Sequence, residues 1–497
     1  MLDKIKKTVK QTIIYSLGNV STKLVGLLLL PLYTSQLTTS EYGILSIIEI
    51  TSQLLLIFFS FSLAQAMLRW SSTEKDKEKD KSIIFSAFIA LVVISIALFI
   101  LLIPMRESFS ILIFGNEKFA SYFYLLVMWS SLGIINRLPE SLLRLREKAV
   151  FYSILMVSKF FIILIANLYL LLVKEMGIEG IVLSQIVGEI FLLTLSFPFI
   201  LKNMKPVFSF AVFKEMFVYG FPLALAGAAN LILGFGDRYI IAYYLSFAGV
   251  GIYSLAQKIA GVITVFILHS FQQGFIPIAF KMFNEENSSR YFSKVLTYFT
   301  MFLVLSALGL SLFSEELLIF LTTPVYYEAY KLVPFIALAM VVKGINILFT
   351  LGFDYAKRTT TYAVIFILGT VLTVGLNIIL IPIFDIYGAA YAMLISYTVI
   401  AAFSFYYSQK LFPIKYEFVK ITQMLIVGVV LYLAGYFLPA MNIVIKIGLK
   451  FILLISLPFI LYIFNFYEEI ELLRLKQSWV KWRNPINWKN NLKKINL

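Results

Sequence analysis

The 497-residue chain is 60% hydrophobic and only 14% charged, with a mean hydropathy of +0.90, whereas a soluble domain carries about 25% charged residues. So apolar a chain cannot cover its cores with polar surface, which makes the bilayer its solvent. The absence of cysteine excludes disulfides, thiolate zinc sites, iron–sulfur clusters and thiol catalysis. A net charge of +15 would point to nucleic acid only if the basic residues shared one water-facing surface.

They do not share one. A membrane helix takes about 20 mostly apolar residues. Runs of that length predict an all-α polytopic membrane protein of fourteen spans. They start near Gln11, Tyr42, Ser82, Ser121, Phe151, Gly180, Met216, Val250, Phe292, Tyr330, Thr361, Tyr387, Phe418 and Lys446. Lys4, Lys6, Lys7 and Lys10 precede a first run that is too long for a signal peptide and lacks a small-residue cleavage site. With the N-terminus in the cytoplasm, the loops of that side and both tails hold 31 of the 42 Lys and Arg, the opposite loops 7, and the spans the remaining four. That excess places both termini inside. The charge is a topology signal, and no nucleic-acid partner is expected.

The first six spans recur in the next six. Leu37-x5-Gly43-Ile44-x-Ser46 returns as Leu245-x5-Gly251-Ile252-x-Ser254, and Ile178-x-Gly180 as Ile386-x-Gly388, at an offset of 208. Lys148, Tyr152 and Asn167 match Arg358, Tyr362 and Asn377 at 210. Six is even, so the halves share one orientation, related by a pseudo-two-fold axis along the membrane normal. The expected units are a bundle over 1–201, a linker over 202–215, a bundle over 216–410, two extra spans over 411–466 and a basic tail over 467–497. In the linker, Val207, Phe208, Phe210, Val212 and Phe213 interleave with Lys205 and Lys214, the pattern of an interfacial segment. In the tail, Leu472, Leu475, Trp479 and Trp482 share a helical face bordered by basic residues, again interfacial.

A charge at the bilayer centre costs about 2.5–3.5 kcal/mol and persists where it meets a wet cavity or a partner. The candidates for a substrate cavity are therefore Lys23 and Lys258 at depth, Arg238 near the outer end of the seventh span, and Lys159 and Lys343 nearer the cytoplasmic side. For the last two, snorkelling to headgroups is the competing reading. The acids at depth are Glu49, near the outer side, Glu189 and Asp237, candidates for ion coupling or for structural pairs such as Lys23 with Glu49 or Glu189. His269 reads as an interfacial residue rather than a proton relay, and Asn230 and Gln257 could serve packing or ligand. No metal site is indicated. The chain lacks a G-x-x-x-x-G-K-[ST] nucleotide loop and the D-x-D, H-E-x-x-H and G-x-S-x-G motifs of nucleotide-sugar transferases, zinc proteases and hydrolases. An enzyme is disfavoured.

Tyr15-Ser16-Leu17-Gly18-Asn19, Pro31-Leu32-Tyr33-Thr34, Glu41-Tyr42-Gly43, Asp237-Arg238-Tyr239 and Gly251-Ile252-Tyr253-Ser254-Leu255-Ala256 resemble the polysaccharide-biosynthesis flippases of the Wzx (O-antigen) type, along nearly the whole chain. The resemblance implies the superfamily of MATE-type exporters and lipid II flippases, with a V-shaped pair of six-helix bundles around a central cavity. It implies a bacterial inner-membrane protein that moves an undecaprenyl-diphosphate-linked oligosaccharide, of O-antigen, capsule or a related polysaccharide, from the cytoplasmic to the outer leaflet, beside membrane lipids and polysaccharide assembly proteins. It carries a cavity role to Lys23 and Arg238; Lys258, Lys159 and Lys343 rest on burial and charge. The family's first-span cation is often Arg, and Lys here weakens bidentate phosphate binding. No cofactor is implied, and proton or sodium coupling has no assigned site. The alternatives are a small-molecule or lipid II exporter of the same fold and, more remotely, a membrane glycan polymerase.

Overall fold

The computed structural model describes residue 26 and residues 28–439 and 442–473. Among them the fold is entirely helical, and thirteen helices are long and apolar enough to cross a membrane. We number them to follow the expected spans. The helix Leu30–Gln36 is α1; the rest of the first span, with Lys23, and the tail beyond Leu473 lie outside the described residues. Then follow α2 Thr39–Phe59, α3 Lys77–Leu102, α4 Glu117–Leu145, α5 Ala149–Val173, α6 Gly177–Lys202, α7 Phe210–Phe235, α8 Phe247–Met282, α9 Ser288–Leu321, α10 Val333–Tyr355, α11 Thr360–Phe384, α12 Ile386–Leu411, α13 Phe418–Tyr436 and α14 Ile443–Ile463. The face bearing the α2–α3, α4–α5 and α6–α7 connections carries most of the cations and is called the basic face; the other is the lean face.

α2 to α6 pack on one another, α8 to α12 do likewise, and α7 lies between the two groups, touching α2 and α3 as well as α11; the sequence repeat marks where the groups meet. The Thr38 side chain caps α2 by accepting from the Glu41 amide, and Ser246, its repeat equivalent, caps α8 by accepting from the Gly249 amide; such caps satisfy amides that a first helical turn leaves unpaired. One turn further, α2 and α8 cross backbone to backbone. A methyl group on Gly43 would lie 1.9 Å from the Phe247 carbonyl oxygen, and one on Gly251 would lie 2.1 Å from that of Thr39. Only glycine permits that approach. Ser46 and Ser254 then hydrogen-bond to each other at 2.8 Å. Residues 208 apart thus touch across the axis, and the lean face is closed.

At the basic face the linker is shorter than expected. α7 begins at Phe210, so Phe210, Val212 and Phe213 belong to its first turn, and the preceding residues are pinned along α3. Lys205 pairs with Glu78 at 2.9 Å, the Ser82 hydroxyl donates to the Val207 carbonyl, and the Ser209 amide donates to Ser86. α7 also closes on the helix Leu63–Thr73 that continues α2: Trp70 donates to Glu215 at 2.9 Å, and Arg69 lies 4.7 Å over the Tyr219 ring. The two extra spans are fastened to α9 at both ends. Lys450 pairs with Glu316 at 2.5 Å and Lys446 with Glu315 at 2.7 Å. Near the other face, Lys294 gathers Glu417, Glu468 and Glu471 at 2.6–3.2 Å.

Candidate functional site

The pair of serines on the axis is the rim of a larger polar cluster. After α7 ends, the helix Asp237–Tyr244 turns two charged residues inward, both buried. They face different partners, as adjacent helical residues must. The Arg238 Nε donates to the Ser254 Oγ at 2.6 Å, with the guanidinium 5.0 Å from the Phe235 ring centre. Asp237 accepts from the Tyr253 hydroxyl through Oδ2, and its Oδ1 has no partner. Lys258, about one helical turn beyond Ser254 on α8, donates to the Tyr42 hydroxyl at 3.1 Å. Glu49 and Arg238 lie within electrostatic reach of it. Glu49 is half-way along α2, deeper than expected, because that helix starts at Thr39. Lys258 also adjoins the described end of the first span, where a methyl group on Gly26 would lie 3.7 Å from its Nζ.

Towards the basic face lies a cavity of about 440 Å³ inside the second lobe, within the usual range of ligand pockets, roughly 300–1,000 Å³. α10 contributes Lys343, Asn346 and Thr350; α8 contributes Thr264, His269 and Gln272; Asn230 comes from α7, and Tyr362 and Tyr397 from α11 and α12. No carboxylate is among the lining residues. Lys343 sits ten residues into α10, at mid-depth rather than near a headgroup region, with its Nζ 5.5 Å from the Tyr397 ring centre. A lysine there is too deep to snorkel. The α8 residues come into place through a π-helical stretch, Ile263–Leu268, a feature that rephases one helix face against the next and recurs at functional sites. His269 therefore lines the cavity instead of meeting lipid headgroups.

The expected residues thus separate. Arg238, Lys258, Glu49 and Asp237 come together at the lobe contact, and Lys343 enters the cavity. Lys159 and Glu189 do neither: they pair with each other at 2.8 Å inside the first lobe, where Asn136 also donates to Glu189 at 2.7 Å. Glu189 is therefore paired with a residue on α5. Lys23 lies outside the described residues. The sequence assigned no site role to Tyr42, Tyr253, Asn346, Tyr362 or Tyr397. The spacing of three from Lys343 to Asn346 and from His269 to Gln272, which shares a helix face, was a signal that could have exposed four of the eighteen lining residues; Tyr397 carried none.

Helices in two lobes meeting about an axis, with charge held at depth between them, define a transporter-like membrane fold. It is similar to a lipid II flippase MurJ in an inward closed conformation, at a TM-score of 0.74 and 16% identity over 92% of this chain and all of that one. It is also similar to an inward-facing MATE family multidrug resistance transporter of the MOP superfamily, at 0.62 and 15% over 80% of this chain and 94% of that one. A MOP superfamily transporter from Pyrococcus furiosus, described as having a binding pocket of reverse polarity, matches at 0.52 and 14% over 82% and 95%. No curated protein matches the chain in sequence. The chain belongs to the family described as Polysaccharide biosynthesis protein, whose model matches residues 8–283.

Proposed function

We propose that the protein is a flippase that carries a polyprenyl-diphosphate-linked oligosaccharide from the cytoplasmic to the outer leaflet of a bacterial inner membrane, with the basic face in the cytoplasm. The observation that carries this reading is the set Arg238, Lys258 and Lys343. All three stand at membrane depth, and among the described residues none has a carboxylate within ion-pair distance. Such cations are expensive unless water or an anion attends them, and a diphosphate is an anion whose own desolvation they would offset. The amides and aromatic rings of the cavity suit a hydroxylated ligand. The closed lean face and the cavity towards the basic face fit loading from the cytoplasm. Transport then proceeds by rocking the lobes so that the Gly43–Gly251 contact parts and the lean face opens, driven by an ion gradient or the membrane potential. Asp237 is the best-placed acid for coupling, since Glu189 is occupied by Lys159.

The P. furiosus relative of reversed pocket polarity shows that this fold carries pockets of more than one charge. An exporter of cationic drugs would want acids where this cavity has none. The test is transport of a fluorescent lipid-linked oligosaccharide in sealed vesicles by Arg238→Ala and Lys258→Ala proteins. Each is expected to lose about 10- to 100-fold in rate, the equivalent of one charge-assisted hydrogen bond of roughly 1.5–3 kcal/mol, while Lys258→Arg keeps most of it. Alanine proteins that melt normally and transport at the wild-type rate would sink the assignment.

A further inference from the structure

On the lipid-facing side of the second lobe, α11 and α12 enclose a second hollow of about 480 Å³. It opens to the bilayer between Val364 and Leu368 on one helix and Phe403 on the other, all at least half exposed. Its floor is Ile400 seated on Gly369, where a methyl group would lie 2.4 Å from the isoleucine Cγ1. From Thr360 to Leu372 the groove rises roughly 18 Å at 1.5 Å per residue, close to one leaflet of a hydrocarbon core about 30 Å thick. Its closed end stops near mid-membrane.

The open end reaches the basic face, where cations outnumber the nearby Asp354. Lys410 lies 4.1 Å over the Tyr406 ring and 5.7 Å from that of Tyr407, which lines the groove. Lys357 and Arg358, both exposed, immediately precede Thr359 and Thr360. Three cations at the mouth of an apolar trough select a lipid with an anionic head. A trough between two helices has room for one chain, whereas a glycerophospholipid brings two. The position adds a further constraint, because Ile400 lines both this groove and the cavity that holds Lys343. A lipid lying here keeps its tail in the bilayer with its head one helix away from the cavity.

We propose that the α11–α12 groove holds the single polyprenyl chain of a phosphate-headed lipid in the cytoplasmic leaflet, with Arg358 and Lys410 at its head. The proposal rests on the flippase reading and adds to it the place where the tail is kept while the glycan enters the cavity.

The experiment uses the full-length protein in phosphatidylcholine vesicles and a short polyprenyl phosphate bearing a benzophenone at its chain end. After irradiation, the label is expected within residues 364–372 or 399–403. Unlabelled polyprenyl phosphate should displace it and phosphatidylglycerol should not. Val364→Trp and Leu368→Trp fill the groove from its exposed side and should cut labelling about tenfold with unchanged melting. Arg358→Gln with Lys410→Gln should weaken it at the head. Label mapped to other helices, or insensitive to both tryptophans, would overturn the groove and leave the flippase reading standing. Equal displacement by phosphatidylglycerol would reduce it to ordinary bilayer contact and overturn it as well. No specific label anywhere on the chain would count against the flippase reading itself, and the groove would fall with it.

Discussion

Two lysines at similar depth in the two lobes have opposite surroundings. Lys159 in the first lobe is buried and spent on Glu189, which Asn136 also holds. Lys343 in the second lobe faces a cavity whose described lining offers amides and rings but no carboxylate. The first arrangement neutralises charge where it stands and locks α4, α5 and α6 together. The second leaves a charge with no carboxylate among the lining residues, which under the proposed function is open to a substrate. Depth in the membrane therefore does not identify a substrate residue; the partner does.

The largest expected effect breaks the movement that lets the second lysine act. Ser46 and Ser254 touch across the axis, and the chain has no native cysteine. A Ser46→Cys, Ser254→Cys protein should form a disulfide on mild oxidation and lose nearly all transport, with recovery on reduction. Transport that continues in the oxidised protein would exclude opening at this contact. Next comes the paired lysine. Removing one partner of a buried ion pair costs about 3–5 kcal/mol, so Glu189→Ala should lower the melting temperature and the yield of folded protein before transport per folded molecule changes. Arg238→Ala and Lys258→Ala should show the reverse order, transport falling while melting moves little. If Glu189→Ala melted like wild type, the distinction between the lobes would collapse.

The smallest effect concerns the basic-face fastening of the extra spans. Burial pushes the Glu417 carboxyl up, but hydrogen bonds from Thr297, Lys294 and Lys420 outweigh it and leave the group below its ordinary value. A carboxyl lowered on folding stabilises above its unfolded pKa of about 4.3, and that contribution is lost as pH falls through the folded value. Melting scans should therefore show a modest extra drop on acidification below the ordinary carboxylate range, and Glu417→Gln should reduce it, leaving the share of Glu471, which is lowered too. An unchanged acid profile in Glu417→Gln would mean that Lys294 is held by Glu468 and Glu471 alone.

The sequence by itself determined the class, the helical type of the elements, thirteen of the fourteen expected spans among the described residues, and the repeated residues that meet. Apolar runs of membrane length leave the backbone no option but helix, and a 208-residue offset in Gly43, Ser46, Gly251 and Ser254 named the residues that meet on the axis. It also placed cations at depth, since length along a helix converts directly into distance across the bilayer. What it could not fix was the company each charge keeps. Lys159 and Glu189 lie on different helices, as do Lys258 and Tyr42, or Lys343 and Tyr397, and the packing that brings them together depends on side-chain fit between helices far apart in the chain. The same holds for the π-helical stretch that turns His269 into the cavity and for the closeness of Ile400 to Gly369. Periodicity reports which face of a helix is apolar; only the tertiary structure decides what that face touches, and so whether a buried charge is spent or available.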